Sequence, residues 1–281
     1  MKTDKETIIT TIYVIIDTLC QKTLPVPSQK QKLNDAQVVT IAICSALFFN
    51  NNHDKALTWL HAAGYFPQML SLSRFNRRIH RLKDFVEYSF ESISELFLTK
   101  KLYIQDSMPL PICKRARASR NKKVKGRKFY GYCAAKEEKF FGFRLHLIVD
   151  TDGIPVSLAI LPGANHDITP MHEITFPLPM DSTVIGDKAY NCQFTEQSLA
   201  EFGITLMPVR RKNMKKQWSL FQENLIIRPN RKQIETTFSI LTEIMGLDRI
   251  KARTQKGFFI KVYAAVIALI FHITTKENYA A

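Results

Sequence analysis

The stretch FGFRLHLIVDTDGIPVSLAIL, residues 141–161, decides the fold class. Phe141, Phe143, Leu145, Leu147 and Val149 alternate with Gly142, Arg144 and His146, the period of two that a strand with one wetter face imposes. Asp152-Gly153 supplies a hairpin turn, and Ile154 to Leu161 returns as the partner strand. Upstream, Leu102 to Gln105 reads as a short strand ending at Asp106. The two prolines that follow, Pro109 and Pro111, argue against its continuing. Downstream, Val184-Ile185 is a strand ending at Gly186-Asp187, and Ile204 to Val209 is another. Helices are predicted after His166-Asp167, at Gln193 to Phe202, from about Asn230 to Met245 with Gly246 as its stop, and at Gly257 to Ile273. The chain from residue 101 to 281 is therefore an α/β domain.

Residues 1–100 read as all-helical. Asn34-Asp35 caps a helix through Phe49, and Asn52 caps another that ends at Gly64. Leu72, Phe75, Ile79, Leu82, Val86, Phe90, Ile93 and Phe97 recur in steps of three and four, which predicts one long helix with Ser71 or Ser73 as its cap. Its first turns carry Arg74, Asn76, Arg77, Arg78 and Arg81 off the apolar stripe. A helix, a glycine turn and an Arg/Asn-headed helix make a helix-turn-helix-like pattern, whose second helix enters the DNA major groove.

Composition agrees with an anionic partner. Forty Lys and Arg against 25 Asp and Glu give +15, and 46% apolar residues with 19 Phe suffice for a real core. The cations cluster. Nine of them fall within the 15 residues Lys114 to Lys128: Lys114, Arg115, Arg117, Arg120, Lys122, Lys123, Lys125, Arg127 and Lys128. A second basic loop holds Arg210, Arg211, Lys212, Lys215 and Lys216. Because these charges sit on loops rather than on one amphipathic face, a membrane surface is the weaker partner and nucleic acid the stronger. The apolar stretch Val262 to Ile273 is too short to span a bilayer and reads as a buried helix. The N-terminus, with Asp4, Glu6 and Asp17 among its apolar residues, does not read as a signal peptide. Five cysteines without a C-x-x-C pair read as reduced structural thiols, and the localisation expected is cytoplasmic.

Asp106 and Asp187 end strands that can lie side by side, and Glu235 lies on the helix after the last strand. Ile234, Phe238, Leu241 and Met245 form the buried stripe of that helix, which puts Glu235 about 100° away, at the edge of the helix–sheet contact. Three carboxylates brought together repel one another unless cations compensate them. Their hard oxygens suit Mg²⁺ or Mn²⁺, and two such ions about 4 Å apart serve in-line phosphoryl displacement. Singly, each acid is more often a turn or cap residue. Glu243 and Asp248 are alternatives for the third carboxylate, whereas Asp150, Asp152 and Asp181 read as turn residues. Neither G-x-S-x-G nor a P-loop pattern is present.

The ordered motifs DSMPLP, FFGFRLHLIVDTDGIP, LPGANHD, VIGDKAY and RKQIETTF, across residues 102–272, resemble the DDE transposases of bacterial insertion sequences. The resemblance implies an RNase H-like catalytic domain, a mixed sheet flanked by helices, with Asp106, Asp187 and Glu235 as catalytic metal ligands. It makes His166 and Asp167 supporting residues, and Tyr190, just after the second acid, is expected to shape the site. Arg231, four residues before Glu235 and so on the same helix face, could hold a DNA phosphate. A related branch carries a tyrosine and a lysine where Arg228 and Thr242 stand here, so the branch stays open. The implied activity is binding of the element's terminal inverted repeats, metal-dependent strand cleavage, and strand transfer into target DNA by a homodimer that pairs two ends. The rival readings are an RNase H-fold nuclease or resolvase that stops at hydrolysis, and a non-catalytic basic DNA-binding regulator.

Overall fold

The computed structural model describes residues 5–25, 31–134, 137–165, 178–214 and 217–277. Its helices are α1 (Lys5–Thr23), α2 (Asp35–Phe49), α3 (His53–Ala62), α4 (Leu72–Arg81), α5 (Lys83–Glu95), α6 (Gln193–Glu201), α7 (Arg228–Ser239) and α8 (Gln255–Glu277). Its strands are β1 (Leu102–Cys113), β2 (Tyr130–Cys133), β3 (Glu138–Asp150), β4 (Pro155–Pro162), β5 (Thr183–Gly186) and β6 (Thr205–Pro208). The chain divides into two compact units, Met1–Ile93 with Ile240–Ala281, and Ser94–Ser239.

The first unit is helical and centres on α2. Every residue from Val38 to Leu47 is buried, and a helix apolar all round must be covered all round. Asn34 caps it in a reciprocal box with Gln37. α1, α3, α4 and α8 pack against it. Helix α8 is long and apolar enough to cross a membrane by length and composition, yet 72% of its apolar window is buried. The sequence groups this helix with the α/β region. In the structure it packs with α2, because two helices without a polar face cover each other.

The long helix expected from Leu72 to Phe97 is instead two. At Leu82 the backbone leaves helical geometry (φ −90°, ψ 14°) and its N–H closes back on Ile79 O. The three–four spacing of apolar residues runs unchanged across the break, so the pattern cannot reveal it. Between α3 and α4 lie the nine residues 63–71, where a helix-turn-helix uses about three or four.

The second unit is a mixed six-stranded sheet in the order β2-β3-β1-β5-β6, with β4 also on β3. β3 runs antiparallel to β1, β2 and β4, while β5 and β6 run parallel to β1 and to each other. One face carries Tyr103, Ile148, Val184 and Leu206 under Leu199 of α6. The other carries Ile185 and Met207 under Ile227, the residue before α7. A mixed sheet with helices on its faces, preceded by a helical region, is the RNase H-like α/β architecture expected.

Strand β1 does not stop at Asp106. It runs through Pro109 and Pro111 to Cys113, paired with β3 from Tyr103 on, with a register shift between Pro111 and Cys113. On its other side β5 pairs with residues 102–104 alone. Beyond Ile104 that edge has no described strand partner, so a proline's missing N–H removes no ladder bond there.

Candidate catalytic site

The register of two parallel strands positions the first two acids. Ile104 of β1 pairs with Ile185 of β5, and two residues further along each strand stand Asp106 and Asp187. Both therefore lie at one level on the face of Ile104 and Ile185, on strands about 4.8 Å apart. Asp187 keeps an extended backbone (φ −78°, ψ −173°) just past the end of β5. One oxygen of each carboxylate accepts a backbone N–H, Asp106 Oδ1 from Ser107 at 2.7 Å and Asp187 Oδ1 from Ala189 at 2.7 Å. Asp187 is thus also the cap of the turn Lys188–Tyr190.

That turn is braced from below. A β-carbon on Gly186 would stand 3.0 Å from the Tyr190 ring and 3.1 Å from Gln105 Nε2. Tyr190 itself is buried in the core of the opposite face, so it supports the turn rather than facing the acids. Asn191 donates to Lys188 O at 3.0 Å and to Val209 O at 2.7 Å. Arg210 holds Asn191 Oδ1 at 3.0 Å, grips Glu196 with both terminal nitrogens at 2.5 and 2.8 Å, and stacks 4.5 Å over Trp218. The sequence places Arg210 among exposed DNA contacts. Its side chain is 3% exposed and turned inward. Nothing in the local sequence marks Asn191, Glu196 and Trp218 as its partners, because the network joins a turn, a helix and two loops.

Helix α7 enters on the face of the aspartates, since Ile227 packs with Ile185 and Met207, and it packs against β1 and β5. Ile234 and Thr237 are its buried residues. Thr237 donates to Gly153 O at 3.2 Å, tying the helix to the β3–β4 turn. Glu235 is exposed rather than at the edge of the contact, and Arg231 is half-buried one turn earlier. The helix expected to run on to Met245 gives way to a π-helical turn, Ile240–Ile244, where Met245 N–H reaches Ile240 O. Glu243 and Asp248, the alternative third acids, fall in the other compact unit.

Asp106 and Asp187 fit a hard divalent cation, since paired carboxylates at one level offer the oxygen donors it takes. Among the described residues, however, no three His, Cys, Asp or Glu side chains gather into a group able to hold a metal ion. Glu235 shares the face of the two aspartates without joining them in such a group.

The cations divide into exposed and engaged. After β1 the chain forms two 3₁₀ turns, Arg115–Arg120 and Arg127–Phe129, pinned by buried Ala118, Val124 and Phe129. Lys114, Arg115, Arg117, Arg120, Lys122, Lys125, Arg127 and Lys128 are exposed on this ordered loop, and Lys123 is half-buried. Arg211 and Lys212 are exposed too. On α4, Arg74, Arg77 and Arg81 are exposed, whereas Asn76 Oδ1 lies 3.1 Å from His53 Nδ1 and Arg78 pairs with Asp35. His166, Asp167, Lys215 and Lys216 lie outside the described residues.

Acids level on one sheet face, next in the chain to a pinned loop of exposed cations, make chemical sense for an enzyme whose substrate is itself a polyanion. Residues 98–255 match the transposase DDE domain family. That is more than half of the chain, which belongs to this family and is a transposase, an enzyme acting on DNA. No curated protein matches the chain. Among solved structures, a piggyBac transposase synaptic complex with hairpin DNA is similar at 10% identity and a TM-score of 0.46, covering 99% of this chain and 74% of that one. A pre-cleavage Mos1 transpososome is similar at 10% identity and a TM-score of 0.24, covering 87% and 79%. At these scores neither adds to the family assignment.

Proposed function

We infer that this transposase serves an insertion sequence: it binds the element's terminal inverted repeats, cleaves DNA strands there and joins the freed ends to target DNA. The observation that carries the reading is the Ile104–Ile185 register, which sets Asp106 and Asp187 level beneath the helix that bears Glu235. Functionally the chain divides near residue 100, with the first part reading DNA sequence and residues 101–281 supplying the catalytic acids.

Mg²⁺ or Mn²⁺, two per site, would be held by Asp106, Asp187 and Glu235 and would supply charge neutralisation and activation of the attacking oxygen. In the first transfer a water oxygen bonds to phosphorus as the P–O3′ bond breaks, leaving a 3′-hydroxyl and a 5′-phosphate. In the second, that hydroxyl attacks a phosphodiester of the target and displaces its 3′ oxygen. The exposed cations of 114–128, with Arg211 and Lys212, hold backbone phosphates in both steps without reading sequence. Arg74, Arg77 and Arg81 stand where base or phosphate contacts from α4 are open. Pairing two ends calls for a homodimer.

The test incubates purified protein with linear element-end DNA and Mg²⁺ or Mn²⁺, then maps 3′ ends and joined products. Discrete 3′ ends at the element boundary and joined strands support the reading. Shortened fragments without joining would replace it with a hydrolase, and DNA binding with no metal-dependent product would replace it with a regulator.

A further inference from the structure

We propose that Arg77 and Arg81 of α4 and Lys251, Arg253 and Lys256 on the approach to α8 form one surface that holds the phosphate backbone of duplex DNA, with His80 at the join. The proposal rests on the reading that α4 faces DNA and adds to it a sequence-distant set of cations in the same compact unit.

The two sets meet because α4 packs against α8. Lys251 lies 170 residues after Arg81 in the chain, so no local pattern joins them. A β-carbon on Gly257 would fall 2.7 Å from His80 Nε2. Glycine there lets the start of α8 close against the imidazole. Burial, and then the neighbouring Lys256, hold that imidazole below its ordinary value. His80 stands three residues after Arg77, hence on the same side of α4. The exposed cations of α4 therefore continue across half-buried His80 to exposed Lys256 in the first turn of α8.

The approach to α8 is built to present its cations. Leu247 and Ile250 are buried before them, and Gly257 and Phe258 after them. Between these anchors Lys251, Arg253 and Lys256 are exposed. Thr254 fixes the entry to the helix, its Oγ1 accepting Gly257 N–H at 3.0 Å.

Charge and size select the partner. Among the described residues, none of the five cations has a carboxylate partner. Acids close to them in the chain are engaged, Asp248 with Arg249 at 2.9 Å and Asp84 with Lys83 at 3.6 Å. Like charges gathered without counterions repel one another, and a polyanion laid across them relieves that repulsion. The exposed residues between the cations include Ser73, Thr254 and Gln255, types that also donate to phosphate oxygens. Of the large apolar residues on α4, Leu72 alone is exposed, which is not the apolar face by which a helix lies in a membrane. Lys251 to Lys256 spans at most about 18 Å and Arg77 to Arg81 about 6 Å, so the surface fits within one turn of duplex, about 34 Å.

Binding is measured in EDTA, without metal, so that it does not depend on cleavage. The probe is a fluorescently labelled duplex of arbitrary sequence, about one and a half turns long. Every protein tested is the full chain carrying Arg117→Ala, Arg120→Ala and Lys122→Ala, so that the basic loop after β1 does not mask this surface. Lys251→Ala, Arg253→Ala and Lys256→Ala combined should flatten the fall of log K with log salt by up to about 2.7, and Arg77→Ala with Arg81→Ala by up to about 1.8. All five together should flatten it by both amounts, because one duplex touches both sets. The threefold variant's deficit in affinity then shrinks by up to about 40-fold between about 50 and 200 mM salt. Lys251→Arg, Arg253→Lys and Lys256→Arg combined retain the slope, which separates lost charge from a disturbed fold. An unchanged slope for the threefold alanine variant would overturn the proposal. Slopes that do not add would overturn it too, since with two separate surfaces the tighter one sets the observed slope. If the threefold variant loses binding to phosphatidylserine vesicles and keeps its DNA slope, the surface belongs to a membrane instead. A protein that cuts no DNA yet shows the additive slopes would refute the cleavage reading and keep the surface. Cleavage and joining with an unchanged slope for the threefold variant would do the reverse.

Discussion

Ile104 and Ile185 sit directly in register on neighbouring parallel strands, and this single pairing sets the spacing of Asp106 and Asp187. Two carboxylates held level on adjacent strands repel one another in the absence of a cation. Asp106→Asn and Asp187→Asn each relieve that repulsion while keeping the acceptor oxygen that receives Ser107 or Ala189 N–H. Both variants are expected to lose DNA cleavage by about two to three orders of magnitude, as removal of one essential electrostatic group does. They should melt no lower than the parent protein and bind element ends within about twofold of it. End mapping, thermal melting and a band-shift titration check the three outcomes. Loss of end binding in parallel with cleavage would remove both residues from the metal-ligand role.

Arg210 and Glu196 form a two-pronged ion pair inside the second unit, although the sequence places Arg210 among DNA contacts. Arg210→Ala leaves Glu196 without its partner and strips the face of Trp218, a loss on the order of 3 kcal/mol. Urea unfolding should show it as a lower midpoint. The salt dependence of DNA binding should not change for this variant. Arg211→Ala with Lys212→Ala is expected to behave oppositely, with an unchanged midpoint and a shallower salt slope. A shallower slope for Arg210→Ala would return that residue to the DNA surface.

Asp150 closes the β3–β4 hairpin by accepting the N–H groups of Asp152 and Ile154 at 2.9 and 2.8 Å. Burial pushes its carboxyl up to about 6, against the pull of those two bonds. The folded state therefore keeps a proton that the unfolded chain, titrating near 3.9, has already released. Stability from this group is full below about pH 4 and is lost as pH rises through about 6. Asp150→Asn retains an acceptor and cannot ionise. Its stability relative to the parent should be near zero at pH 4 and grow to about 1–3 kcal/mol by pH 7, read by urea unfolding at several pH values. A difference that does not grow with pH would mean the carboxylate is not the titrating group.

The fold was legible in the sequence wherever one residue pattern answers to one physical cause. The alternation from Phe141 to Val149, the turn at Asp152-Gly153 and the caps at Asn34, Asn52 and Ser71 are all local, and the structure has them. Asp106 and Asp187 were legible as acids on strands able to pair, although only Asp187 stands at a strand end. The passage of β1 through Pro109 and Pro111 was not, because a proline's cost depends on whether the neighbouring edge is occupied, and that is set by where β5 stops. The break at Leu82 hides inside an unbroken apolar rhythm. Asn76, Arg78 and Arg210 looked like free polar residues, since their partners His53, Asp35 and Glu196 lie at least 14 residues away in the chain.

The basic loop after β1 offers the cleanest test of how DNA is held. Buried Ala118, Val124 and Phe129 pin it, so its exposed cations are carried on an ordered surface rather than on a free tail. Each cation that neutralises a phosphate displaces condensed counterions, which makes log K fall with log salt by about 0.9 per contact. Arg117→Ala, Arg120→Ala and Lys122→Ala combined should therefore flatten the slope by up to about 2.7. Element-end and unrelated DNA should lose affinity by the same factor, because phosphate contacts carry no sequence information. Binding titrations on both DNAs from about 50 to 200 mM salt give the slope and the factor together. A loss confined to element-end DNA would make the loop a reader of sequence, and an unchanged slope would leave its cations as solvated surface.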